Sequence, residues 1–166
     1  MKTATPSPST SSTSASPALP PAIAWLGYGG ALPFVALAAA TWLVPDWRTL
    51  AYQALLGYGA VILSFVGALH WGVAMVAPAP ALSDTARTRA FAWSVVPALV
   101  AWVALLLPGA AAGWLVVGGF IAHYLQDLRL ARQTAALPAW YLRLRLHLSS
   151  FACLSLAAGS LAVGSA

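Results

Sequence analysis

The sequence predicts an all-α membrane protein, a polytopic bundle of about five transmembrane helices. Of its 166 residues, 61% are hydrophobic and only 7% are charged, and the mean hydropathy is +0.82. A soluble domain carries about 25% charged residues, so this composition excludes an ordinary water-soluble fold. Apolar runs of the length that crosses a bilayer, about 20 residues, recur along the chain. They lack the strict alternation of barrel strands, which favours helices.

The first 21 residues differ from the rest of the chain, because they consist almost entirely of Ser, Thr, Pro and Ala. Such a segment buries too little apolar surface to offset its ordering entropy. We therefore expect residues 1–21 to be a disordered tail and residues 22–166 to form one transmembrane domain.

Proline, glycine and charged residues divide that domain into its helices. Pro45 ends the first apolar run, Pro78 ends the second, and Pro108-Gly109 marks a tight turn between the third and the fourth. The predicted helices span residues 22–44, 50–77, 90–107, 109–127 and 142–163.

The basic residues predict an orientation. With five crossings, the N-terminal tail and the second and fourth loops share one side of the membrane. That side holds seven of the eight basic residues, and the opposite side holds only Arg48. The positive-inside rule then predicts a cytoplasmic N-terminus and an external C-terminus. The same rule accounts for the net charge of +5. We therefore expect the lipid bilayer, and not nucleic acid, as the partner.

Two histidines and one carboxylate form a candidate intramembrane polar site. His70 and His123 fall at similar depths in the second and fourth helices, and Asp127 lies four residues after His123, on the same helix face. Ionisable groups at such depths are costly and usually face the bundle interior.

Four interpretations of this site remain open. The imidazoles suit a haem, the three residues suit a divalent metal, and histidine suits a proton relay. Alternatively, His70 only hydrogen-bonds a neighbouring helix, while Asp127 pairs with Arg129, Arg132 or Arg143. The close histidine spacing of metal motifs is missing, so we assign no metal, and the cofactor is left unassigned between these interpretations.

Two further groups of residues are candidates for contacts. Trp140, Tyr141, Arg143 and Arg145 start the fifth helix and suit an interfacial lipid or partner site, where aromatic rings and arginines reach the headgroups. Gly59, Gly67 and Gly119 suit helix packing, because small residues let membrane helices approach closely.

Motifs of autonomous enzymes do not occur in the sequence. It contains no phosphate-binding loop, no G-x-S-x-G elbow and no paired-carboxylate site, and its single cysteine, Cys153, excludes a disulfide framework. The leading hypothesis is therefore a non-enzymatic packing or partner-binding component, with a homo-oligomer or a second membrane protein as partner. The alternatives are a small proton-coupled transporter and a haem- or quinone-associated redox subunit.

Three blocks of sequence resemble one known family. They are Leu26-Gly27-Tyr28-Gly29-Gly30, His70-Trp71-Gly72 and Leu137-Pro138-Ala139-Trp140-Tyr141. In order and spacing they resemble the transmembrane protein 69 family, also called domain of unknown function 3429, from about residue 22 to the C-terminus. The resemblance implies a small multi-helix protein of bacterial membranes, with relatives in mitochondria, and we therefore expect it in the bacterial inner membrane. It implies no activity and no catalytic roles.

Overall fold

The computed structural model describes residues 19–78, 82–133 and 137–164, and within these ranges all regular structure is helical. The five helices are α1 (Pro21–Leu43), α2 (Arg48–Val76), α3 (Asp84–Leu106), α4 (Ala110–Gln133) and α5 (Tyr141–Gly164). A short 3-10 turn, Pro45–Trp47, precedes α2. The predicted all-α bundle is thereby confirmed. Most of the predicted disordered tail lies outside the described residues.

Two helices extend further than the hydropathy pattern predicts. α3 begins at Asp84 and not at Ala90, because the Ser83 hydroxyl accepts a hydrogen bond from the Ala86 amide and caps the helix. α4 continues past Asp127 to Gln133. Both extensions contain arginines, so they are not part of the apolar runs from which the helices are predicted. Arginine is nevertheless a good helix former.

Helix α2 is the central element, since it packs against all four other helices. α1 also contacts α5, and α4 contacts both α3 and α5. The apolar core lies where α2, α4 and α5 meet. Its fully buried side chains include Leu55, Leu63, Val116, Phe120 and Leu156. The contact between α2 and α4 brings His70 and His123 onto neighbouring helices.

The three predicted packing glycines lie at helix crossings. A Cβ atom on Gly67 would stand 2.9 Å from the Ser94 carbonyl oxygen of α3. A Cβ atom on Gly119 would stand 2.6 Å from a Leu63 methyl group, and one on Gly59 would stand 3.2 Å from a Leu156 methyl group. At Gly67 the obstructing atom belongs to the backbone, so a side chain there would push α2 and α3 apart, whereas at Gly119 and Gly59 a leucine side chain would have to shift.

The outer faces of the bundle are apolar. Trp25, Leu43, Val76 and Leu154 are each at least 70% exposed, as expected of side chains that face lipid tails. Four stretches have the length and hydropathy of membrane spans: Pro21–Leu43, Pro45–Val76, Asp84–Leu106 and Tyr141–Gly164. α4 has the length, but it is more polar because His123, Asp127 and the residues that follow them lie in its second half. Of these polar residues, His123 and Asp127 belong to the candidate site.

Candidate functional site

Asp127 on α4 is the centre of a buried polar cluster. Its side chain is fully buried, and three donors from two other helices surround the carboxylate. The Nε2 atom of His70 lies 2.8 Å from Oδ1, and the Tyr141 hydroxyl donates to the same oxygen over 3.3 Å. The Nε atom of Arg145 donates to Oδ2 over 2.9 Å. Both oxygens of the carboxylate are therefore occupied by donors.

His123 completes the cluster from the turn of α4 that precedes Asp127. Its Nε2 atom lies 3.7 Å from Asp127 Oδ1, and its ring centroid lies 4.9 Å from that of His70. On the other side, the indole N–H of Trp93 on α3 donates to His123 Nδ1 over 3.1 Å. The cluster thus contains residues from α2, α3, α4 and α5.

The hydrogen bond from Trp93 fixes the tautomer of neutral His123. An indole N–H can only donate, so Nδ1 must accept and the ring proton must lie on Nε2. That Nε2–H group points toward Asp127, and no hydrogen-bond acceptor for it lies within range among the described residues. His70, whose Nε2 contacts the carboxylate, has Nδ1 as its second titratable nitrogen.

The charges of Arg145 and Asp127 compensate one another inside the bundle. Arg145 is 5% exposed and Asp127 is fully buried, so neither charge is hydrated to any large extent. A buried ion pair persists only when additional hydrogen bonds satisfy its remaining atoms. His70 and Tyr141 provide such bonds to the carboxylate, whereas Arg145 Nη2 has no partner among the described residues.

The residue types in the cluster suit a divalent metal, but the ring proton on His123 Nε2 does not. One potential ligand atom each from His70, His123 and Asp127 lies within 4.8 Å of the others. A metal at His123 Nε2 would need the lone pair that the Trp93 hydrogen bond removes, and it would compete with Arg145 for the carboxylate. A haem between the histidines does not fit either, because the two rings already contact each other.

A small cavity leads to His70 from the arginine-rich end of the bundle. Its volume is about 20 Å³, roughly the space of one water molecule. Its lining includes Arg89, Trp93, Gln126 and Arg129 beside His70. The histidine therefore lies between this polar opening and the buried carboxylate.

The predicted interfacial group does not act as one unit in the structure. Tyr141 and Arg145 turn inward to Asp127, whereas Arg143 is exposed and Trp140 is half-buried. The interpretation in which Asp127 pairs with Arg129, Arg132 or Arg143 is wrong in its partner, because Arg145 pairs with the carboxylate instead. Sequence reasoning also missed the role of Trp93. Tyr141 and Arg145 are four residues apart and therefore lie on one face of the helix. This spacing is the feature of the sequence that could have predicted their common direction.

Comparison with known proteins identifies a family whose function is unknown. The chain matches the family described as "Protein of unknown function (DUF3429)" over residues 19–161. It is also similar to Transmembrane protein 69 of Xenopus tropicalis, with 36% identity over 136 residues. That alignment covers 80% of this chain and 51% of the relative, so the chain spans about half the length of the relative it matches. No solved structure matches the chain.

Proposed function

This chain belongs to the DUF3429 family of proteins of unknown function, and we propose that it is a proton-coupled membrane carrier whose proton-binding centre is the His70–Asp127 pair. The observation that carries the proposal is the position of His70. The residue lines the cavity at the arginine-rich end and at the same time holds the fully buried carboxylate of Asp127 over 2.8 Å. It therefore connects a polar opening to a charge inside the bundle.

The two nitrogens of His70 allow a proton to move inward. Nδ1 takes up a proton from water in the cavity, and the proton on Nε2 passes to Asp127 Oδ1. His70 then returns to the neutral state, and the net result is one additional proton on Asp127. Histidine suits this step because its ordinary pKa lies near neutral pH.

Charged groups from three other helices surround His70. They are the carboxylate of Asp127 on α4 and the guanidinium groups of Arg145 on α5 and Arg89 on α3. The other titratable groups near the carboxylate are His123 and Tyr141, and Arg129 lines the same cavity. A proton on Asp127 leaves the buried guanidinium of Arg145 without its counter-charge. The arrangement therefore links protonation to the arrival of a second anion, as a coupled carrier requires.

A structural role is the second candidate function, and one observation favours it. The cluster joins α2, α3, α4 and α5 through side-chain hydrogen bonds, so it also holds the bundle together. This role corresponds to a non-enzymatic packing component. It requires an intact ion pair but no proton exchange, and this difference separates the two functions.

The location and orientation are part of the proposal. We place the protein in the bacterial inner membrane with the arginine-rich end in the cytoplasm. The positive-inside rule supports this orientation. Arg87 lies at this end of the bundle, where its guanidinium donates to the Ala74 and Ala77 carbonyl oxygens and caps the C-terminal end of α2.

Proton entry into proteoliposomes, driven by an imposed membrane potential and followed with an enclosed pH-sensitive dye, tests the proposal. A carrier with this centre acidifies the vesicle interior, and Asp127→Asn abolishes the signal. Asp84→Asn is the matched control, because Asp84 lies in the exposed first turn of α3. Entry that persists in Asp127→Asn, or its absence with the wild-type protein, contradicts proton exchange and leaves the packing function.

A further inference from the structure

A second cavity lies among α1, α2, α4 and α5, on the side of Arg145 away from the polar opening. Its volume is about 140 Å³. The wall is mostly apolar and includes Phe34, Ile62, Val66, Phe120 and Leu148. Two lining residues, Leu26 and Phe65, are 78% and 63% exposed, so the rim faces the lipid. The cavity therefore opens sideways to the bilayer between α1 and α2.

Two unsatisfied polar atoms belong to the lining of this apolar cavity. Arg145 and Ser149 both line it, and they are 5% and 7% exposed. Arg145 Nη2 and Ser149 Oγ have no hydrogen-bond partner among the described residues. The two residues are four apart on α5 and share one helix face. Asp127 holds Arg145 through Nε and leaves Nη2 available as a donor.

We propose that this cavity binds the carboxylate of a single-chain amphiphile of the fatty-acid class. The carboxylate oxygens accept hydrogen bonds from Arg145 Nη2 and Ser149 Oγ, which are the unsatisfied donors. The chain lies along the aromatic and aliphatic wall and leaves into the bilayer between Leu26 and Phe65. Pairing of a guanidinium with a carboxylate gives the head group both charge and geometric complementarity.

The size and the position of the cavity favour a carboxylate over larger lipid head groups. A space of about 140 Å³ holds a small head and the first part of a chain, whereas a phospholipid head with two chains needs more room. When Asp127 is protonated, the ligand carboxylate is the second anion that compensates the charge of Arg145. Only this coupling rests on the proposed function, because binding itself requires no proton.

Calorimetric titration of the full chain in phosphatidylcholine nanodiscs tests the inference, with dodecanoate as the probe and empty nanodiscs as the blank. The blocking variant is Gly30→Leu. Gly30 lines the cavity, and a Cβ atom there meets only the Tyr58 hydroxyl, at 3.7 Å, so the new side chain has room to enter the space. Gly29→Leu is the matched control, because a Cβ atom on Gly29 meets nothing within 4 Å and the residue is exposed.

We expect saturable dodecanoate binding that Gly30→Leu weakens at least about tenfold and that Gly29→Leu leaves unchanged. Ser149→Ala, which removes one donor to a charged ligand, weakens binding about tenfold. Dodecanol, which lacks the charge, displaces dodecanoate poorly. Equal behaviour of the two glycine variants, or displacement by dodecanol as effective as by dodecanoate, overturns the inference. Stronger binding of dodecyl phosphate than of dodecanoate overturns the assignment of a carboxylate head.

The same titration in two buffers of different ionisation enthalpy counts the protons taken up with each ligand. Uptake of about one proton, lost in His70→Gln, supports coupling. Saturable binding without proton uptake contradicts the proposed carrier while the binding inference stands. An absence of saturable binding overturns the inference, whereas the proteoliposome test of Asp127 still decides on proton exchange.

Discussion

Arg145 on α5 and Asp127 on α4 form an ion pair inside the bundle, with 2.9 Å between Nε and Oδ2 and with the carboxylate fully buried. The pair joins two neighbouring helices near the point where His70 of α2 reaches the same carboxylate. Removal of one partner from such a pair leaves an uncompensated buried charge, which is more costly than removal of both.

The first prediction is therefore non-additive loss of stability at this pair. Arg145→Gln and Asp127→Asn should each lower the free energy of unfolding by about 3–5 kcal/mol, and the double variant by much less than the sum. Unfolding in mixed detergent micelles measures these changes. Additive losses would contradict an ion pair inside the bundle.

The second prediction concerns the tautomer of His123. Trp93→Phe keeps an aromatic ring but removes the N–H group that donates to His123 Nδ1. We expect the proton of neutral His123 to redistribute between its two nitrogens, because Nδ1 is no longer required to accept. ¹⁵N chemical shifts of labelled histidine report the change. Trp102→Phe is the control, since Trp102 is 60% exposed. Unchanged His123 shifts in Trp93→Phe would contradict the hydrogen bond.

The third prediction concerns the crossing of α2 and α3. Gly67→Ala should destabilise the protein by about 1–3 kcal/mol, because the new methyl group would stand 2.9 Å from the Ser94 carbonyl oxygen. Gly72→Ala on the same helix is the control, since its Cβ atom meets nothing within 4 Å. Alanine is the better helix former, so that control should gain up to about 1 kcal/mol. Equal thermal stabilities of the two variants would contradict the close crossing.

The fourth prediction concerns orientation. In a Cys153→Ala background, cysteines at Thr85 and Thr49 place single thiols at the exposed starts of α3 and α2. A maleimide that does not cross membranes should label Thr49→Cys in intact bacterial cells, and Thr85→Cys only after the cells are opened. The reverse pattern would show that the arginine-rich end faces outward.

Hydropathy was sufficient to predict five helices and to group His70 and His123 with Asp127, but not to predict the contacts that Tyr141 and Arg145 make with it. Long apolar runs must become helices in a bilayer, and ionisable residues within them, such as His70 and His123, must face the bundle interior. Arg145 was assigned to the interface because it lies near the start of its helix. Its inward direction depends on the rotation of α5 against α4, which is a property of packing. The contact of Trp93 with His123 likewise depends on how α3 packs against α4.

The decisive measurement compares proton entry into proteoliposomes with thermal stability for the wild-type protein and His70→Gln. Glutamine keeps a side-chain donor for Asp127 Oδ1, which His70 Nε2 contacts over 2.8 Å, but it has no second nitrogen that takes up a proton. Proton exchange at the His70–Asp127 pair predicts that His70→Gln abolishes proton entry while the protein stays folded. If His70→Gln admits protons at the wild-type rate, the pair exchanges no proton and holds the helices together instead.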